Sequence, residues 1–264
     1  MIYFLHIGYD GSNYRGWQYQ PDVVTVQETI EEKLQRIFKR KITVYGCGRT
    51  DAEVHASQYM LHIELEKPLD FDLKFRLNKN LPDDIAVYDV MEMKDDQHAR
   101  YDAISRTYDY YIHLYKDPIL SKYSSYYELE KLDFSSMKKA ADTLLKHDDF
   151  KAVCKQPHLY KHTRCKVTNS KVYVNDSEQR LRYTITADRF LRGMVRLTVA
   201  FLLKVGMGKM TVEEFEYIIA NQVEVKEKES ALPNGLYLSK VEYPYLKLDA
   251  RTEFARSLKV GLED

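Results

Sequence analysis

Ile42-Thr43-Val44-Tyr45-Gly46-Cys47-Gly48-Arg49-Thr50-Asp51-Ala52-Glu53-Val54-His55-Ala56-Ser57-Gln58-Tyr59-Met60-Leu61-His62-Ile63-Glu64-Leu65 is the stretch on which the fold turns. Two strand-like runs, 42–45 and 59–65, enclose a polar loop that gathers an arginine, a carboxylate and a histidine. Upstream, Thr25-Val26-Gln27-Glu28 has the spacing of a capping box, and Val26, Ile30, Leu34, Ile37 and Phe38 fall on one helical face. Before it lie a strand over 3–9 and the turn-rich segment 10–18. Downstream, a short helix is expected around 72–78 and a strand over 85–91. The order is β-α-β-β-α-β.

From Ser105 the order begins again. A tyrosine-rich strand over 105–114 precedes a helix that Asp133 can cap, with core face Met137, Ala140, Ala141, Leu144 and Leu145. Strands over 165–174 and 181–187 flank the turn Asn175-Asp176. An apolar helix over 191–205 ends at Gly206, Thr211 and Glu214 make a second capping box, and a strand over 236–243 closes the set. The fold class is therefore α+β: two split βαβ units, 1–104 and 105–264, whose antiparallel sheets can lie side by side with a cleft between them. Beyond Pro244, Leu246, Ala250, Phe254 and Leu258 recur at helical spacing.

Charged residues at 30% and hydrophobic ones at 44% fit a folded chain with a core rather than a disordered one. No apolar run approaches the roughly 18 residues of a membrane span. The start, Met1 to His6, lacks a basic leader and long apolar segment, so no signal peptide is expected. Three cysteines do not make a disulfide framework, and a cytoplasmic location follows most simply. A formal charge of zero leaves a nucleic-acid partner open, since binding needs a basic patch rather than a basic total. The 22 tyrosines suit half-buried strands, and some can stack on bases.

Four constellations bear on chemistry. Asp51, beside Arg49, can act as nucleophile or base, or simply cap a turn while Arg49 bonds a carbonyl. On the strand that opens the second half, Tyr108 and Tyr110 share one face and Asp109 takes the other; a cleft-facing tyrosine can stack on a base or move a proton. Arg189, Arg192 and Arg196 recur at spacings of three and four, a basic stripe that suits phosphates or a solvated face. Arg196, set among apolar neighbours, is the one expected to be partly buried and in want of a carboxylate. Cys154, His158, His162 and Cys165 do not follow a usual zinc spacing, and no metal is expected. Gly206-Met207-Gly208-Lys209 follows a helix rather than a strand, so it reads as a helix-ending turn rather than a phosphate loop.

Taken together, these segments resemble one family. Gly48 to Ala56 is similar to the GRTDAGVHA signature of the TruA-type tRNA pseudouridine synthases, and Tyr9 to Gln18 resembles that family's YDGxxYxGWQ opening. Val26-Gln27-Glu28, Leu77-Asn78-Lys79-Asn80-Leu81-Pro82, His98-Ala99-Arg100-Tyr101-Asp102-Ala103 with Arg106-Thr107-Tyr108-Asp109-Tyr110, Met194-Val195-Arg196 and Gly235-Leu236-Tyr237-Leu238 follow in the family's order.

The resemblance implies two ferredoxin-like units around an RNA-binding cleft. It implies conversion of uridine to pseudouridine in the tRNA anticodon arm, at positions 38, 39 and 40, by a homodimer without metal or other cofactor. Carried over by motif, Asp51 is the nucleophile, Arg49 orients the target, Tyr108 stacks on the base and moves a proton, Arg196 pairs with Asp51, and Leu238 packs in the pocket. Arg15, Asn78, Arg100 and Arg192 are the further expected substrate contacts. Two positions depart from the pattern: Glu53 stands where the signature has glycine, and Asp109 where a basic residue is common. A tRNA-binding, chaperone-like relative without turnover is the alternative reading.

Overall fold

The computed structural model describes residues 1–225 and 229–249. Their contacts divide into two units, one holding Met1–Ile104 and the chain from Tyr237, the other Ser105–Leu236.

In the first unit, Thr25 Oγ1 accepts the Glu28 N–H at 3.3 Å and starts α1 (Val26–Phe38), whose Val26, Ile30 and Leu34 are buried. Asp72 does the same for α2 (Leu73–Asn80), accepting the Phe75 N–H at 2.9 Å. Strand β1 (Ile2–Tyr9) lies between β3 (His55–Glu64) and β4 (Ile85–Met93), antiparallel to both. The edge of β3 that β1 leaves is shared by β2 (Tyr45–Gly46), antiparallel at Leu61–His62, and by β9 (Leu236–Glu242), parallel at His55–Ala56. Thus β1 sits beside β3 although α1 and β2 intervene in sequence, as a split βαβ unit requires. The strand expected to close the second set also pairs with β3 of the first unit, with which it is grouped from Tyr237 onward. Its hold there is more than the ladder, because Gln58 Oε1 accepts the Val241 N–H at 2.8 Å.

Strand β1 is buried along its whole length, so the sheet is covered on both faces. On the Phe4 face, His62 stacks under Tyr45 with ring centroids 4.8 Å apart and meets His98 edge-on at 4.5 Å. His62 Nδ1 accepts the Ala99 N–H at 3.2 Å, which requires a neutral ring. Burial, and then the neighbouring His98, push the His62 pKa down from 6.5 to about 4, while Asp102 opposes them. Below pH 6.5 the unfolded chain takes up a proton that the folded one refuses until about pH 4. Stability is therefore expected to be full above pH 6.5 and to fall as the pH drops toward 4. The loss reaches about 3 kcal/mol. Urea midpoints between pH 7.5 and 4.5 check this: His62→Phe should flatten the slope, and an unchanged slope in that variant would contradict it.

In the second unit, β8 (Arg180–Ala187) lies between β5 (Ser105–His113) and β7 (Val167–Val174), antiparallel to both, and β6 (Ser125–Tyr126) runs parallel beside the end of β5. Helix α3 (Phe134–Thr143) packs on β7, α4 (Met194–Gly206) and α5 (Val212–Ala220). Asp133 caps α3 through the Ser136 N–H at 2.9 Å. Both bonds of the Thr211–Glu214 box are made, at 3.0 and 2.8 Å. Helix α4 ends at Gly206, as expected, and the turn that follows is completed by Gly208 at φ 69°. The tail positions Ala250, Phe254 and Leu258 lie outside the described residues.

Candidate active site

Residues 48–54 leave the sheet of the first unit and are held from behind by the turn-rich segment 10–18. The Tyr59 hydroxyl donates to the Gly48 carbonyl at 2.6 Å, and Trp17 stacks on Tyr59 at 4.1 Å. Thr50 Oγ1 lies 2.8 Å from the Tyr9 hydroxyl, and the Thr50 carbonyl accepts the Trp17 N–H at 3.1 Å. Glu53 N–H donates to the Tyr14 carbonyl at 3.1 Å, and Val54 N–H to the Asp51 carbonyl at 3.3 Å. Two glycines make the close approach possible. At Gly16 (φ 100°) a Cβ would stand 2.7 Å from the Thr50 carbonyl oxygen, and at Gly11 one would stand 2.1 Å from that of Val54. The main chain on both sides of Asp51 is thereby fixed, with Asp51 half-buried and Arg49 exposed.

His55 and Ala56, read in the sequence as part of this loop, already belong to β3. His55 is buried, stacks on Tyr237 at 4.6 Å, and places Nδ1 3.0 Å from the Gly11 N–H and 3.1 Å from Asp10 Oδ1. Its place is that of an anchor. Leu238 is buried in register with Ala56, which brings it to the foot of the loop.

Glu53 adopts φ 64°, the left-handed conformation that glycine takes without cost. Its carboxylate reaches sideways to Arg15, Oε1 to guanidinium 3.4 Å, and both side chains are largely exposed. Such a pair contributes little. Glu53→Gly is therefore expected to raise stability by about 0.5–1 kcal/mol, the left-handed cost removed less the ion pair and the extra freedom of the unfolded chain. Chemical denaturation reads the change; a loss of stability would contradict it.

Asn78, an expected substrate contact, lies exposed on α2 with its amide already engaged. Its side-chain oxygen accepts the Val87 N–H and its nitrogen donates to the Val87 carbonyl, both at 2.8 Å, tying α2 to β4. Arg100 is exposed, its guanidinium 6.0 Å over the Tyr101 ring.

In the second unit, β5 alternates as expected. Tyr108 is half-buried and meets Phe190 edge-on at 4.9 Å, a neighbour that nothing in the sequence pointed to. Tyr110, on the same face, is fully buried, its hydroxyl 2.8 Å from both Ser125 Oγ and the Leu232 carbonyl. Burial pushes its pKa well up, so it stays a neutral structural phenol. Asp109 turns to the other face, where the Thr184 hydroxyl bonds it and Arg182 lies 3.9 Å away. The departure at Asp109 is thus absorbed inside the sheet, away from the Tyr108 face.

The arginine stripe does not form as a helical feature. Gly193 takes φ 73°, and α4 begins only at Met194, so Arg189 and Arg192 lie in the preceding turn. Arg192 N–H bonds the Tyr160 hydroxyl at 2.9 Å. Arg196 is on α4, half-buried as expected, with Nε donating to the Ala231 carbonyl at 2.7 Å. Cys154 and Cys165 are buried, with burial pushing the Cys165 thiol up to about 12, whereas His158 and His162 are exposed. Among the described residues no such cluster converges on an ion.

Comparison with known proteins places these observations. A family model described as tRNA pseudouridine synthase matches residues 6–102 and 140–244. A tRNA pseudouridine synthase A from Bacteroides fragilis is 43% identical over 244 residues, covering 92% of this chain and 96% of the relative. One from Porphyromonas gingivalis is 40% identical, covering 92% and 97%. One from Streptococcus mutans is 35% identical, covering 90% and 96%.

Proposed function

Because the chain belongs to the tRNA pseudouridine synthase family, and so isomerises uridine to pseudouridine in tRNA, we propose that it acts in the anticodon arm, at positions 38, 39 and 40, with Asp51 as the nucleophile. The observation that supports this best is the locked main chain around Asp51. Bonds from Tyr9, Tyr14 and Trp17 fix the loop, so the carboxylate is presented from a rigid base rather than a mobile turn.

The chemistry then assigns the remaining groups. The target uridine is taken out of its stack, the N1–C1′ bond breaks with its electron pair left on N1, the uracil turns, a C5–C1′ bond forms, and the proton that leaves C5 is balanced by one taken up at N1. Asp51 starts the reaction either by attack on the sugar or by removing a proton from C2′. Both routes demand an ionised carboxylate, which Arg196 is proposed to maintain as its partner. Arg49 orients the target. Tyr108 stacks on the base and takes the C5 proton. Leu238, buried at the foot of the loop, packs in the pocket. Arg15, Arg100 and Arg192, exposed cations, serve as phosphate contacts. The protein is proposed to work as a cytoplasmic homodimer with no metal or other cofactor; three buried, unlinked cysteines suit a reducing compartment.

A transcript labelled with tritium at uridine C5 tests the reading, because each isomerisation releases one tritium. Release is expected, and it should vanish when the uridines at 38–40 are replaced by cytidine. Undiminished release from the replaced transcript would move the target elsewhere.

A further inference from the structure

Across the chain, 40 Lys and Arg balance 40 Asp and Glu. The segment from Lys151 to Lys166 breaks that balance, since Lys151, Lys155, Lys161, Arg164 and Lys166 face no carboxylate within it. Two nearby aspartates, Asp149 half-buried and Asp188 exposed, bond the segment locally. Asp149 Oδ1 accepts the Lys151 N–H at 3.1 Å and the Thr163 hydroxyl at 2.5 Å, and Asp188 Oδ1 accepts the Lys166 and Arg189 N–H groups at 2.8 and 2.7 Å. Asp149 Oδ1 is thus taken up by the Lys151 N–H and the Thr163 hydroxyl, Asp188 Oδ1 by two main-chain N–H groups, and Lys155, Lys161 and Arg164 stand exposed.

This basic loop is stapled to the turn before α4. Lys155 N–H donates to the Arg192 carbonyl at 3.0 Å, Arg192 N–H donates to the Tyr160 hydroxyl at 2.9 Å, and the Arg192 guanidinium bonds Gln156 Oε1. The Arg189 guanidinium lies over the Tyr160 ring at 5.7 Å. Gly193 lets the Lys155 stem pass, for a Cβ there would stand 2.8 Å from it. A merely solvated face would leave its arginines free to wander. Here they are oriented before any ligand arrives, which lowers the entropy lost on binding. The patch also continues from Tyr108, because Phe190, the residue after Arg189, abuts the Tyr108 ring.

We propose that the loop carrying Lys155, Lys161 and Arg164, with Arg189 and Arg192, is a phosphate-binding surface that grips the RNA strand next to the target nucleotide. It rests on the reading above in taking tRNA as the substrate and Tyr108 as the residue that faces the base. The surface holds backbone and reads no sequence, so it supplies affinity and register rather than choice of base.

The triple variant K155Q/K161Q/R164Q tests it against a control with the same charge change, K67Q/K138Q/K139Q, using an unmodified tRNA transcript. The first is expected to bind about tenfold more weakly at 50 mM salt, with the slope of log K against log salt shallower by about 2–3. Its KM should rise by the same factor with kcat unchanged, and the single variant K161Q should lower the slope by about 0.7–0.9. Binding and slope equal to those of the unmutated protein, or a change no larger than the control's, would overturn the proposal. Turnover by the unmutated protein, measured alongside, reports separately on the parent reading.

Discussion

Asp51→Ala is expected to lower kcat on a tRNA transcript by about ten-thousand-fold or more, the scale on which loss of a nucleophile is felt, while tRNA affinity stays within a few-fold. The separation between chemistry and binding follows from how the loop is held. Its bonds run through the main chain of Thr50, Glu53 and Val54 and through the Thr50 hydroxyl, and these survive truncation at Asp51. The loop should therefore keep its shape and its exposed arginine. Asp51→Asn, which preserves size and removes only the charge, is expected to fall as far. Single-turnover tritium release gives the rate, and fluorescence anisotropy with labelled tRNA gives the affinity. Activity above about one per cent in either variant would take the nucleophile's role from Asp51.

Tyr108→Phe is the second large effect. The ring that meets Phe190 at 4.9 Å is kept, so stacking on the base should persist and KM should change less than about threefold. Only the hydroxyl is lost, and with it the group proposed to take the C5 proton. A fall in kcat of about 100- to 10,000-fold is expected. Tyr108→Leu removes the stacking platform as well, and KM should then rise by about tenfold, one base stack being worth roughly 1–3 kcal/mol. A Phe variant that turns over normally would place the proton acceptor elsewhere. Tyr110 is a poor substitute, since its hydroxyl is buried against Ser125 and Leu232.

Much of this was legible in the sequence because it is local. The caps at Thr25, Asp133 and Thr211 stand where the residue types place them, and strand alternation separated Tyr108 from Asp109. What was not legible depends on partners distant in the chain. The run 42–45 looks like a full strand, yet the Val44 N–H is taken by Glu31 Oε1 at 3.0 Å, so only Tyr45 and Gly46 pair with β3. Strand β9 reads as the last element of the second set, but its parallel pairing with β3 has no local signature. The arginine spacing of three and four suggested a helix, and the left-handed Gly193 interrupts it; a glycine after Arg192 was the available warning. Asn78 sits in a family-like motif, and only the structure shows its amide engaged by Val87. The acid-free segment around Tyr160 was visible all along as composition. It lacked periodicity, so no element-by-element reading drew attention to it.

Glu53, the one residue of the loop out of keeping with the family signature, sharpens the point. The glycine-like φ is retained with a side chain in place, and the charge is directed toward Arg15. A left-handed cost of about 1–2 kcal/mol is within what a folded domain tolerates. The loop keeps its bonds on both sides of Asp51, so turnover is expected despite the substitution.

The central claim is that this chain makes pseudouridine at positions 38–40 of tRNA through Asp51. Its most direct test is carbodiimide primer-extension mapping of tRNA from a bacterial strain that lacks pseudouridine at those positions and expresses either the unmutated protein or Asp51→Ala. The unmutated protein should restore the stops at 38, 39 and 40, and the variant should restore none. No stops with the unmutated protein, or the same stops with both, would contradict the claim.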